Sequence, residues 1–160
     1  MAIQVGDKIP SVNIQHMGAD GVETIDTGEL FAGKKVVVFA LPGAYTPTCS
    51  ASHLPGYVVH SDDLFAKGID LIACLSVNDA FVMDAWGKQH NADDRIMMLA
   101  DGSGHFTRAL GLELDLDAAG MGIRSQRYAM VVNDGVVETL NVEAPKEFKV
   151  SDAQTILSSL

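Results

Sequence analysis

Lys35-Val-Val-Val-Phe-Ala-Leu41, running directly into Pro42-Gly-Ala-Tyr-Thr-Pro-Thr-Cys-Ser50, is the stretch from which the fold can be read. Val36–Leu41 is apolar without alternation and β-branched at three positions, as in a central strand buried on both faces. Pro47 suits the first turn of a helix, because its missing N–H would have no partner there. That helix is expected to run to about Lys67, with Leu54, Tyr57, Val58, Leu64 and Phe65 towards the core. Pro55-Gly56 should kink or interrupt it.

Outward from this unit the same alternation repeats. Ile69–Leu75 reads as a second buried strand. Asn78 or Asp79 then caps a helix through about His90, with Phe81, Val82, Ala85 and Trp86 as its apolar face. A short strand over Arg95–Ala100, a turn at Asp101-Gly-Ser-Gly104 and a helix over His105–Leu110 follow. Asn133-Asp134-Gly135 joins two strands, Tyr128–Val132 and Val136–Val142, into a hairpin. Ser151-Asp152 caps a last helix to Leu160. Strands alternating with helices give a parallel core, and the hairpin adds antiparallel strands. The expected fold is α/β, a central mixed β-sheet with helices on both faces.

Composition sets the outer bounds. The 160 residues fit a single domain, 1–160, with no repeat or linker. Hydrophobic residues at 48% and charged residues at 20% exclude a disordered chain, collagen and a coiled coil. A formal charge of −10 without a basic cluster argues against nucleic-acid or anionic-membrane partners. The longest apolar run, Val36–Leu41, is far short of a membrane span. Met1–Pro10 lacks the apolar core of a signal peptide, so a soluble, cytoplasmic protein is expected. Its two cysteines then pose a chemical question rather than a disulfide question.

Cys49 is expected in the first turn of a helix that follows a buried strand. Unpaired backbone N–H groups and the helix dipole there favour an anion, here a thiolate. Thr46 can aim a hydroxyl at the same space, and Pro42 and Pro47 stiffen the loop. Position alone leaves a second reading open, a small buried thiol near a helix end. On its strand Arg127 shares a face with Ala129 and Val131, and a buried-side arginine needs an anionic partner. That partner is either the Cys49 thiolate or a nearby carboxylate. Arg124, placed in the preceding loop, is expected to pair with a carboxylate.

Pro42-Gly-Ala-Tyr-Thr-Pro-Thr-Cys49-Ser-Ala-Ser-His-Leu-Pro-Gly56 resembles the active-site segment of peroxiredoxins, specifically the peroxiredoxin 5 (type II) subfamily. Ala73-Cys-Leu-Ser-Val-Asn-Asp-Ala-Phe-Val82 with Trp86 resembles the same subfamily, as does Arg127-Tyr-Ala-Met-Val-Val132. With Asn133-Asp-Gly-Val-Val137 and Leu140-Asn-Val142, the likeness covers nearly the whole chain in order. It implies a thioredoxin-like fold and a thiol-dependent peroxidase that reduces hydrogen peroxide and organic hydroperoxides. Cys49 would be the peroxidatic cysteine, Thr46 its hydroxyl partner, Pro42 the shield and Arg127 the guanidinium that completes the pocket. No metal, haem or flavin cofactor is implied. The resemblance also implies a homodimer, with segments near Pro42–Tyr45, Trp86 and Leu112–Met121 at the contact.

Cys74 lies within the apolar strand, 25 residues after Cys49, either as a packed core thiol or as a resolving cysteine. Plant-type members of the subfamily have a cysteine at the matching place, to which an intramolecular disulfide is attributed. The other route is an external thiol, glutathione with glutaredoxin, and this recycling is the one expected. Thioredoxin recycling through Cys74 is the alternative, and a non-enzymatic redox sensor or relay is the reading from another class. A thioredoxin-type oxidoreductase would need Cys-x-x-Cys, and Thr46 occupies the upstream position. Cys49, His53 and His60 would share one face of an ideal helix, but Pro55-Gly56 spoils that spacing for a metal site. His53 is expected to make a structural hydrogen bond. Asp62-Asp63 and Asp93-Asp94 read as solvated helix ends.

Overall fold

The computed structural model describes residues 1–92 and 94–160; Asp93, one of the acidic residues expected at a helix end, lies outside the described residues. The chain begins with strands β1 (Asn13–Gly18) and β2 (Gly21–Asp26) and the short helix α1 (Thr27–Phe31). Asp26 caps α1 by accepting from the Gly28 N–H at 2.7 Å. None of these three elements was expected from the sequence. Strand β3 (Lys35–Ala40) follows as read, buried from Val36 onward.

After β3 the chain turns helical at Pro47 and widens into a π-helical turn over Cys49–His53, then continues as α2 (Leu54–Val59). The Leu54 N–H reaches back five residues to the Cys49 carbonyl. Pro55 explains the widening: it has no N–H for the Ala51 carbonyl, and its ring would collide with that carbonyl in a regular helix. Pro55-Gly56 therefore reshapes the helix upstream instead of breaking it. The break falls at His60, between α2 and α3 (Ser61–Ala66). Leu54, Tyr57 and Leu64 are buried as expected, Val58 is partly buried, and Phe65 is exposed.

Strand β4 (Leu71–Ser76) leads to α4 (Ala80–Gln89), which Asp79 caps by accepting from the Val82 N–H at 2.9 Å. The buried face of α4 is Ala80, Met83, Trp86 and Gly87, so the expected face holds for Trp86 and in part for Val82, which packs against the same core. Phe81 and Ala85 point to solvent, and Val82 is half-buried. Gly87 sets this phase, because the helix packs so close to β5 that a Cβ there would lie 2.7 Å from Met98 Cγ. Then come β5 (Met97–Ala100), α5 (His105–Leu110), and a separate two-stranded ribbon of β6 (Glu113–Leu116) and β7 (Gly122–Ser125). That ribbon was also not expected. Strands β8 (Tyr128–Asn133) and β9 (Val136–Val142) form the hairpin, and α6 (Ala153–Ser158) ends the chain. Asp134 and Gly135 both take positive φ, 47° and 78°, as a tight two-residue hairpin turn requires.

The main sheet has the order β2-β1-β5-β4-β3-β8-β9. Its centre β3-β4-β5 is parallel, and β1, β2, β8 and β9 join it antiparallel. Side chains of α2, α3, α4 and α6 pack on one face and those of α1 and α5 on the other. This is the mixed, two-sided α/β architecture expected. Cys49, Cys74, Ala129 and Val131 belong to the first face. Among the described residues no helix is long and apolar enough to cross a membrane.

Candidate active site

Alternation along β8 brings Arg127, just before the strand, to the face where the Pro47 helix begins. There Arg127 Nη2 donates to Cys49 Sγ at 3.1 Å. Of the two partners open to Arg127, the structure places the sulfur, and among the described residues no carboxylate pairs with this guanidinium. Its Nη1 donates to His53 Nδ1 at 2.8 Å, and the other ring nitrogen, Nε2, lies 3.0 Å from the Ser151 carbonyl oxygen. The carbonyl can only accept, so Nε2 carries the proton and Nδ1 is the acceptor. Burial, and then the adjacent Arg127 charge, push the His53 pKa down to about 3. His53 is therefore a neutral, fixed acceptor.

The hydrogen bond expected for His53 thus has a role at the site, one that the Cys49–His53 spacing alone did not reveal. Both of its ring nitrogens are engaged, while His60 sits on the outer side against Asp63 at 3.4 Å. The three residues weighed for a metal do not converge. Phe39, Tyr57 and Phe148 surround the imidazole, and the Phe148 ring lies 5.7 Å from Arg127 Cζ.

On the loop, the Thr46 hydroxyl donates to the Gly43 carbonyl at 2.7 Å. With its proton committed, the oxygen offers lone pairs and acts as an acceptor. The same loop is pinned from two sides. Asn78 Oδ1 accepts from the Ala44 N–H at 3.0 Å, and Arg124 Nη1 donates to the Pro42 carbonyl at 3.1 Å. Arg124 also donates from Nε to the Met121 carbonyl at 2.9 Å. The expectation for Arg124 is corrected on two counts: it lies in strand β7, and it bonds backbone carbonyls instead of a carboxylate. Backbone oxygens reach it first because β7 folds back over the Pro42 loop.

A cavity of about 230 Å³ opens beside these groups, with Pro42, Thr48, Leu114, Leu116, Arg127 and Pro145 in its wall. Cys49 is fully buried behind it. Cys74 is equally buried, pairs in register with Phe39 and is a free thiol, as is Cys49. Burial pushes the Cys74 thiol well up, and the neighbouring Cys49 pushes it further. Trp86 is fully buried and donates from Nε1 to Ser50 Oγ at 3.0 Å, so it offers no free surface to a subunit contact.

Residues 4–157 match the redoxin family. Peroxiredoxin-2C of Arabidopsis thaliana is 48% identical over 159 residues, which cover 99% of this chain and 98% of that protein. The chain belongs to the peroxiredoxin family. Chloroplastic peroxiredoxin-2E of the same plant is 48% identical over 163 residues, 99% of this chain and 70% of that one. Among solved structures, reduced Prx3 in complex with H2O2 from Vibrio vulnificus is 58% identical with a TM-score of 0.95, covering 98% of each chain. This peroxiredoxin has the thioredoxin-like fold and is a thiol-dependent peroxidase.

Proposed function

We propose that this peroxiredoxin reduces hydrogen peroxide and small organic hydroperoxides at Cys49, with Thr46, Arg127 and Pro42 completing the site. The observation that carries this reading is the 3.1 Å contact from Arg127 to the Cys49 sulfur. A guanidinium is always charged, so it favours the ionised sulfur and also offers donors to peroxide oxygen. The thiolate attacks one oxygen of the peroxide. An S–O bond forms, the O–O bond breaks, and the second oxygen leaves as hydroxide or alkoxide to collect a proton from solvent. Cys49 is oxidised to the sulfenic acid as the peroxide is reduced. Negative charge passes from sulfur to the leaving oxygen, so donors fixed along that path stabilise the transition state more than the resting thiolate. Thr46, its proton held by Gly43, accepts from the hydroxyl of an incoming peroxide. The Prx3 structure with H2O2 supports hydrogen peroxide as a substrate.

Recycling is assigned to an external thiol, glutathione with glutaredoxin. Glutathione condenses with the sulfenic acid, releasing water, and a second thiol then displaces the mixed disulfide and restores Cys49. The state of Cys74 supports this route: a fully buried thiol held protonated is a poor nucleophile, and reaching Cys49 from mid-strand would require β4 to move. The alternative, thioredoxin acting through Cys74, draws support only from that residue's place on the same face as Cys49. A homodimer is part of the reading, with exposed Tyr45 and Ile123 as apolar surface for the contact. A cytoplasmic setting suits two free cysteines that depend on a thiol reductant.

Stopped-flow reaction of the reduced protein with hydrogen peroxide, followed by mass spectrometry with a sulfenic-acid trap, tests the chemistry. Fast consumption with the adduct on Cys49, abolished in Cys49→Ser, is expected; a rate no better than a free thiol would overturn the site. For the reductant, Cys74→Ser should keep turning over with glutathione and glutaredoxin. Complete loss of recycling in a folded Cys74→Ser protein would assign resolution to Cys74. Slow or single-turnover consumption with every thiol donor would favour the relay.

A further inference from the structure

We propose that Glu143, which makes no contact with the sulfur, is a positioning residue that fixes the Arg127 guanidinium by locking the 144–151 loop behind it. The inference rests on the reading of Arg127 as the cation of the peroxide site.

Glu143 directly follows β9, and its backbone N–H donates to the Arg127 carbonyl at 2.9 Å. Its carboxylate then collects four donors from the far end of the loop. These are the N–H groups of Lys149 (2.9 and 2.8 Å to the two oxygens), Val150 (2.9 Å) and Ser151 (2.8 Å), and the Ser151 hydroxyl (2.7 Å). Such a cluster matches a carboxylate, which only accepts. Burial opposes its ionisation, but the Ser151 hydroxyl and the three N–H groups outweigh burial and hold the pKa below the usual glutamate range.

What the loop presents explains why it needs locking. The Ser151 carbonyl accepts from the Tyr57 hydroxyl at 2.8 Å and from His53 Nε2 at 3.0 Å, which orients the imidazole. The imidazole in turn accepts from Arg127 Nη1. Phe148, on the same loop, packs against both His53 and Arg127. Glu143 therefore holds Arg127 twice, once by its backbone and once through Ser151 and His53. Glutamine would turn an NH2 group towards this ring of donors, so the loop would relax and the guanidinium would lose its rear support.

The test compares wild type, Glu143→Gln, Glu143→Asp and Arg127→Gln in two single-turnover measurements. One is the stopped-flow rate with hydrogen peroxide. The other is alkylation of Cys49 by iodoacetamide at fixed pH, followed on the Cys49 peptide, which reports the ionised sulfur. Glu143→Gln should slow the peroxide reaction by about tenfold or more and slow alkylation too, with Glu143→Asp between it and wild type. A folded Glu143→Gln protein with wild-type rates in both would overturn the proposal, leaving Glu143 as a loop latch only. If Arg127→Gln itself lost nothing, the reading of Arg127 would fail instead. Should Glu143→Gln not fold, Ser151→Ala removes one donor and keeps the carbonyl. A smaller slowing of both reactions is then expected, and none would overturn the proposal.

Discussion

His53 is an acceptor for Arg127: its unprotonated Nδ1 lies 2.8 Å from the guanidinium Nη1. A protonated imidazole could not keep this contact, because it would set a donor and a second positive charge against the arginine. Protonation of His53 is therefore coupled to the integrity of the whole cluster around Cys49.

That coupling gives stability a pH dependence of known sign. The His53 pKa is about 3 in the folded protein against an ordinary value of 6.5, so between these values the unfolded chain binds the extra proton. Its contribution is fully present above pH 6.5 and is lost as the pH falls towards 3. Each unit in that window removes about 1.4 kcal/mol at most. Urea unfolding of wild type and His53→Gln between pH 6.5 and 4.5 checks this. The difference between the two proteins should shrink with acidity. A difference independent of pH would mean that His53 is not held neutral.

Thr46 separates two effects of one side chain. In the proposed mechanism its hydroxyl is the acceptor for peroxide, whereas its methyl only packs. Thr46→Val keeps the shape and should lower the second-order rate with hydrogen peroxide by about a hundredfold. Thr46→Ser keeps the oxygen and should stay within about tenfold of wild type. Alkylation of Cys49 by iodoacetamide should change little in either, because Arg127 still faces the sulfur. Equal losses in the Val and Ser variants would show that packing, not the hydroxyl, matters.

The elements legible in the sequence are those whose residues are buried by the sheet they form. Val36–Ala40 and Tyr128–Val132 have continuous apolar runs because both faces are covered. Strands β1 and β2 bury little beyond Ile14, so Asn13–Asp26 carries too few apolar residues to show a period. Strands β6 and β7 are four residues each and have half-exposed faces, so their pairing leaves almost no trace in residue type. At the proposed site, Cys49, Thr46, Arg127 and Pro42 are suggested by a motif and a strand face. The Arg127 contact of His53 and the contacts of Arg124 and Glu143 are not legible there. Each joins segments dozens of residues apart or involves a backbone N–H or carbonyl, which nearly every residue type supplies alike.

Arg124 carries the last prediction. Its Nη1 holds the Pro42 carbonyl, and it fills the space above Gly43 so tightly that a Cβ there would lie 2.6 Å from that nitrogen. The Gly43 carbonyl is in turn the acceptor that fixes Thr46. Arg124→Met should free the loop and slow the peroxide reaction by about tenfold, while Cys49 alkylation stays near wild type because Arg127 is untouched. Gly43→Ala attacks the same contact from the other side by displacing the guanidinium. It should reproduce the loss in a protein that keeps Arg124. Combined, the two substitutions should cost no more than either alone, since both break one contact. Additive losses would mean that Gly43 and Arg124 act on the site separately.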